Sequence, residues 1–289
     1  MTAVEERVFF KSFSSGSCGN CCVLGVMRDG KVAASILIDA GVSRRRVRKE
    51  LEAEHLVLED LSGILLTHDH LDHVRSLGSF CKYDHIPVYA SPELHKALAR
   101  RSHTLGHLPE VRRVLVPGEW NEIVPGLVQA RYFVVPHDAS HTVGYDIRMA
   151  GHAFVLITDC GRLTEEALGC AAAADTLVIE SNYDIDMLAG GPYPPELQER
   201  IRGGHGHTSN DECASAIGRV WHDGLKHIYL CHISENNNTP EKAYRASAAV
   251  LEGMGFHASY ERSSLFIKNG TSLTLMPLPR RSHSPLFTL

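Results

Sequence analysis

Thr67-His68-Asp69-His70-Leu71-Asp72-His73 gathers imidazoles and carboxylates into one short stretch. These are the ligands that zinc, manganese and iron accept. The apolar run Ile64-Leu65-Leu66 precedes it, so a buried strand is expected to end at Thr67 and hand the polar residues to a loop. Along an extended segment alternate side chains share a face, which lets His68 and His70 point at one ion. Asp72 and His73 follow once the chain has turned and can address a second ion. Asp69, between the ligands, can accept a proton or orient a ligand.

Other strand ends must bring the remaining groups. Phe154 to Ile157 reads as a buried strand that ends in Thr158-Asp159-Cys160-Gly161. A carboxylate there can bridge two ions and hold them about 3.5–4 Å apart. The strand Val128 to Val135 ends at Pro136-His137, and His137 and His141 both qualify as a further ligand on chemistry alone. Ile228 to Ser234 reads as a strand carrying His232 at its end. Glu180 and Asp184, after the strand Leu177-Val178-Ile179, read either as partners that hold a ligand histidine in its tautomer or as surface carboxylates.

Two loops suit an anion. Ser12 to Asn20 is small and glycine-bearing, so its backbone N–H groups can cradle a phosphate beside Ser17 and Asn20. Gly203 to Glu212 leads into a helix over Cys213 to Trp221 that Ser209 or Asn210 would cap. The N-terminus of such a helix attracts anions, and His207 beside it can hold a phosphate or protonate a leaving oxygen. A helix capped by Ser43 carries Arg44, Arg45, Arg46, Arg48 and Lys49. That run reads as a solvated face, with a phosphate-tracking patch as the alternative.

The 289 residues, 44% of them hydrophobic, suffice for a large core. One catalytic domain is expected over residues 1–276, with 277–289 a flexible tail rich in proline, arginine and serine. No apolar run is long enough for a membrane span, and the N-terminus is polar and acidic, so a cytoplasmic protein with no membrane contact is expected. Cys18 with Cys21-Cys22 lacks a second pair at zinc-ribbon spacing and reads as small residues at a strand start. A net charge of −5 argues against broad adhesion to nucleic acid but leaves a nuclease open, since bound ions bring their own charge. Nothing in the sequence speaks to oligomeric state.

The Thr67–His73 stretch resembles the signature of the metallo-β-lactamase superfamily. The flanks, Ser15-Gly16-Ser17-Cys18-Gly19-Asn20, Pro136-His137-Asp138-Ala139, Glu180-Ser181-Asn182-Tyr183-Asp184, His207-Thr208-Ser209-Asn210 and His232-Ile233-Ser234-Glu235-Asn236-Asn237, look like its YycJ/WalJ-type branch. His207-Thr208 also resembles the His-x-Thr element of tRNase Z, which serves the phosphate. Thr208, where the branch commonly has leucine, and Cys18, where a small polar residue is usual, depart from the pattern. The segment between Asp159 and His232 is too short for the inserted domain of a β-CASP nuclease.

The resemblance implies an α/β fold, the αββα four-layer sandwich. It implies two divalent metal ions, zinc or manganese. His68, His70 and His137 would hold the first, Asp72, His73 and His232 the second, and Asp159 would bridge them. The spacing of His137 to Gly144-Tyr145 resembles the nuclease-like branches and favours it over His141. The implied activity is that of a metal-dependent phosphodiesterase and 5′-to-3′ exonuclease, with DNA favoured over RNA. A thioesterase or lactonase resembling glyoxalase II is the alternative, since attack on a carbonyl needs the same hydroxide.

Overall fold

The structure is a computed structural model that describes residues 5–101, 106–259 and 264–289. It is α/β, with two mixed sheets and helices, as the sequence implies. Among the described residues no helix is long and apolar enough to cross a membrane. The chain divides into two compact units. One holds Met1–Tyr132, Ala139–His152 and Pro279–Leu289, and the other holds Phe133–Asp138 and Ala153–Leu278.

In the first unit, β1 (Glu6–Ser14), β2 (Cys21–Arg28) and β3 (Lys31–Ile38) pair antiparallel as a meander. β4 (Leu61–Leu65), β5 (Val88–Ala90) and β6 (Arg112–Val114) then extend the sheet from β3 in parallel. A parallel strand covered on both faces is apolar throughout, and Ile64, Leu65 and Leu66 are fully buried. The crossover from β3 to β4 runs through the helix Arg44–Glu52, whose Ser43 cap accepts from Arg46 N. That helix buries Val47 and Leu51, each contributing about 1.5–3 kcal/mol. Its Arg45, Arg48 and Lys49 are exposed, whereas Arg44 pairs with Asp84 and Arg46 donates to the carbonyls of Phe13 and Arg281. Cys21 and Cys22 are buried at the start of β2, and burial pushes both thiols up.

Further along, β7 (Asn121–Val124) pairs antiparallel with β8 (Val128–Val134), and β9 (Val143–Met149) follows. Val143, Tyr145, Ile147 and Met149 alternate along β9 with Gly144, Asp146 and Arg148, and Asp146 is itself buried and paired with Arg131 and Arg148.

The second unit holds β10 (His152–Ile157, all but its first residue), β11 (Thr176–Glu180) and β12 (His227–Cys231), all parallel. β13 (His257–Ala258), β14 (Leu265–Lys268) and β15 (Thr271–Pro277) complete it, with β15 parallel to β12 and antiparallel to β14. Its core packs Leu168, Cys213, Ile217 and Leu251 from three helices against Val155, Leu177 and Ile228.

The segment expected as a flexible tail is ordered into the first unit. β16 (Phe287–Thr288) pairs antiparallel with β1, and Ser284 is fully buried. The prolines and arginines that suggest disorder flank Leu286-Phe287, which supplies the apolar contact and a strand edge that β1 would otherwise expose.

Candidate metal centre

In the first unit the centre is built where two parallel strands end. Ile38 pairs with Leu65, so Asp39 and Thr67 emerge side by side. Asp39 adopts φ +63°, a left-handed conformation that Asp tolerates better than most residues, and this aims its carboxylate across the strand ends. It accepts from Thr67 N at 2.9 Å, from Thr67 Oγ1 at 2.9 Å and from His73 Nδ1 at 2.7 Å. His68 and His73 stack with ring centroids 4.0 Å apart, and His68 and His70 meet edge-on at 4.7 Å. The loop before the helix Leu71–Val74 therefore brings His68 and His70 up to Asp72 and His73 in the helix's first turn.

Asn20 ties this loop to the Ser12–Asn20 turn. Its Nδ2 donates to His73 Nε2 at 2.8 Å and to Asp72 Oδ2 at 3.1 Å, while its Oδ1 accepts from Gly16 N. Gly41 makes the approach possible, since a Cβ there would lie 1.5 Å from the Asp72 carbonyl oxygen. Asp69 is buried, and its carboxylate accepts from Arg101 at 2.8 Å and from Ser140 Oγ at 2.9 Å. Burial alone would raise the Asp69 carboxyl, but Arg101 and Ser140 outweigh it and hold it below the usual range. His141 lies apart from the loop, against Ser91 Oγ at 2.9 Å and edge-on to Tyr132.

In the second unit three neighbouring parallel strands each end in a polar group. Ile157 pairs with Ile179, which pairs with Leu230. Glu180 ends β11, while Asp159 and His232 stand just beyond β10 and β12, both at positive φ (+49° and +51°). Carboxyl ends of parallel strands are where α/β sheets place their sites. Asp159, Glu180, His207 and His232 bring ligand-type atoms within 4.8 Å of one another.

Glu180 organises that group. Its Oε1 accepts from His207 Nδ1 at 2.8 Å and from His232 Nδ1 at 2.9 Å, and its Oε2 accepts from the N–H groups of Cys160 and Thr208. Burial would raise this carboxyl; the charge of His207 and the bonds from both histidines win and hold it well below the usual range. His137 donates from Nδ1 to the Gly206 carbonyl at 2.8 Å, and its Nε2 lies 3.7 Å from Asp159 Oδ1. Burial lowers the His137 pKa and so favours the neutral ring that a metal requires.

The donor set fits a divalent ion. His137 and His232 commit Nδ1 to the Gly206 carbonyl and to Glu180, which in the neutral ring puts the lone pair on Nε2, the donor a divalent ion takes; His73 commits Nδ1 to Asp39 in the same way, and its Nε2 accepts from Asn20. Asp39 and Glu180 are the functional residues that sequence reasoning passed over or left as one alternative. Glu180 closes β11 and Asp39 directly follows β3, each behind an apolar run, and that recurrence was the available signal.

The expected phosphate residues fare unequally. Ser17 is exposed and His207 keeps Nε2 clear of Glu180. Asn20 is committed to Asp72, His73 and Gly16. Ser209 caps the helix Asn210–Val220 in a reciprocal box with Glu212. Asn210 is buried in a network with Ser181 and Asn238.

Residues 34–233 match the family described as Beta-lactamase superfamily domain. The chain is 34% identical over 248 residues to Exodeoxyribonuclease YycJ of Bacillus anthracis, covering 86% of this chain and 90% of that one. It is 31% identical over 236 residues to Exodeoxyribonuclease WalJ of Streptococcus pneumoniae serotype 2 (strain D39 / NCTC 7466), covering 81% and 85%. The crystal structure of the metallo-β-lactamase fold protein YhfI from Bacillus subtilis shares the fold, with a TM-score of 0.65 at 13% identity over 99% of this chain and 100% of that one. Strand-end histidines and carboxylates on this fold are the equipment of metal-dependent hydrolysis, and the chain belongs to the metallo-β-lactamase superfamily as a YycJ-type hydrolase.

Proposed function

We propose that the chain is a two-metal phosphodiesterase that degrades DNA from the 5′ end. The observation that carries the reading is the 34% identity to an exodeoxyribonuclease over nearly the whole of both chains. His68, His70 and His137 are assigned to one ion, Asp72, His73 and His232 to the other, and Asp159 to both. Nitrogen and carboxylate donors without thiolate suit zinc or manganese. Eight free thiols and a DNA substrate fit the cytoplasm.

Bound divalent ions supply a nucleophilic water at neutral pH and offset the charge that develops on the phosphoryl oxygens. The chain's own residues do the rest. Asp39 and Glu180 orient the ligand imidazoles and keep the proton on Nδ1. Glu180 also fixes His207, whose Nε2 is left to hold a phosphate oxygen or hand a proton to the leaving oxygen. Ser17, exposed on its own loop, is assigned to offer a hydroxyl to the strand. Asp69, held ionised by Arg101, steadies the ligand loop. Because Asn20, Ser209 and Asn210 bond within the protein, DNA as substrate rests on the relatives more than on these loops.

The test is a time course on 5′-labelled linear duplex DNA with Mn²⁺ or Zn²⁺, with Asp159→Ala as control. Early release of labelled mononucleotide, absent in the variant, is the expected result. An active variant would sink the two-metal assignment. Failure on both DNA and RNA, with turnover of a thioester, would move the reading to a small-molecule hydrolase.

A further inference from the structure

We propose that a cavity of about 380 Å³, lined by Arg75, Ser79, Lys82, Tyr83 and His107, is a subsite for single-stranded DNA, with a base stacked on Tyr83 and phosphates held by Arg75 and Lys82. The inference rests on the nuclease reading and names a second place where the strand is held.

The position follows from the sequence. Arg75 closes the helix Leu71–Val74, which carries Asp72 and His73, so the cavity begins one helical turn from two proposed metal ligands. Arg75 Nη1 donates to the Cys18 carbonyl at 3.2 Å, which joins it to the loop that exposes Ser17. The next helix, Leu77–Tyr83, sends Ser79, Lys82 and Tyr83 to the same cavity at roughly one-turn spacing, and Gly78 leaves room between them.

The chemistry matches a single strand. Tyr83 is 61% exposed, so much of its ring is accessible to a ligand. Arg44 lies over the ring at 5.6 Å and is itself clamped by Asp84, so the ring is held in place. Lys82 Nζ stands 5.0 Å from the ring centroid on a flexible, exposed stem and can yield to a base while its ammonium turns to the phosphate. An aromatic face flanked by cations is how proteins hold single strands without reading sequence. In a chain of net charge −5, the positive charge here is a local feature that steers an anion. The volume lies in the range of small-ligand sites and exceeds what a lone phosphate needs. A duplex keeps its bases stacked on one another and offers Tyr83 no face.

The test uses the full chain carrying Asp159→Asn to prevent cleavage, with a fluorescein-labelled 12-nucleotide single strand read by anisotropy. Tyr83→Ala should weaken binding about tenfold, and Tyr83→Phe should restore it. Arg75→Ala with Lys82→Ala should weaken binding and flatten its salt dependence by about 1.4 in the log–log slope, two phosphate contacts' worth. In the otherwise unaltered enzyme, Tyr83→Ala should leave turnover of bis(p-nitrophenyl) phosphate unchanged. If these variants bind the strand as tightly as their parent while the parent enzyme degrades DNA, the subsite is overturned and the nuclease reading stands. If the parent neither binds the strand nor degrades DNA, the nuclease reading itself has failed and the subsite with it.

Discussion

Asp39 Oδ2 lies 2.7 Å from His73 Nδ1, and both side chains are buried. The same carboxylate accepts from Thr67 N and Oγ1 and so clamps the start of the ligand loop. Asp39→Asn preserves the shape and the left-handed backbone. It presents an amide donor to Nδ1, however, which drives the ring proton to Nε2, the nitrogen that must carry the lone pair. Metal affinity should fall about 10–100-fold. Zinc titration against a chromophoric chelator measures it, and an unchanged affinity would remove Asp39 from the centre.

Gly41 sets how closely the Ser12–Asn20 turn can approach the ligand loop. Its N–H donates to the Asn20 carbonyl, while a Cβ would meet the Asp72 carbonyl oxygen at 1.5 Å and Asn20 N at 2.7 Å. Backbone cannot swing aside as a side chain does, so Gly41→Ala must push the two loops apart. The expected result is loss of metal binding and of hydrolysis together, with far-UV circular dichroism close to the parent's. Full activity in Gly41→Ala would refute the tight approach.

Much of this centre could be read in the sequence because its ligands sit at strand ends, where a run of apolar residues announces the position. Ile64-Leu65-Leu66 before His68 and Phe154 to Ile157 before Asp159 are such runs. Glu180 and Asp39 have the same lead-in, but a carboxylate that serves a ring rather than an ion has no spacing of its own; only the fold brings it within 3 Å of its histidine. The phosphate loops were harder for the converse reason. Ser209 and Asn210 have the residue types for an anion site, yet capping and a buried amide network use the same groups, and sequence cannot tell which use prevails. The order at Phe287–Thr288 was hidden because β1, the partner that stabilises it, lies at the opposite end of the chain.

Asp184 links pH to stability. It caps the helix Ile185–Gly190 through Met187 N at 2.9 Å and pairs with Lys242 Nζ at 3.0 Å. Burial would raise its carboxyl, but the cap bond and Lys242 outweigh that and lower it from the ordinary 3.8. A carboxyl depressed on folding stabilises at pH above its unfolded value, and that stability is lost as pH falls through the folded value. Asp184→Ala should therefore cost about 1 kcal/mol at neutral pH. The gap to the parent should narrow below about pH 4 in urea unfolding. A gap independent of pH would show that the charge contributes nothing.

Ser284 closes the C-terminal segment onto β1. It is fully buried; its Oγ accepts from Ser12 N at 3.0 Å and donates to the Pro285 carbonyl, and its own N–H donates to the Ser12 carbonyl. Removing the hydroxyl strands the Ser12 N–H in a place water does not reach, which costs about 1–3 kcal/mol. Ser284→Ala should lower the unfolding free energy by that amount, seen as a lower urea midpoint with an unchanged slope, because the folded surface is the same. Truncation before residue 284 should cost more, since it also removes the Phe9–Thr288 and Phe10–Phe287 pairs and uncovers the outer edge of β1. Increased aggregation of the truncated chain, reversed in the point variant, would separate the lost strand from the lost hydrogen bond. Equal stability of the truncated and full chains would mean that the segment is not held as described.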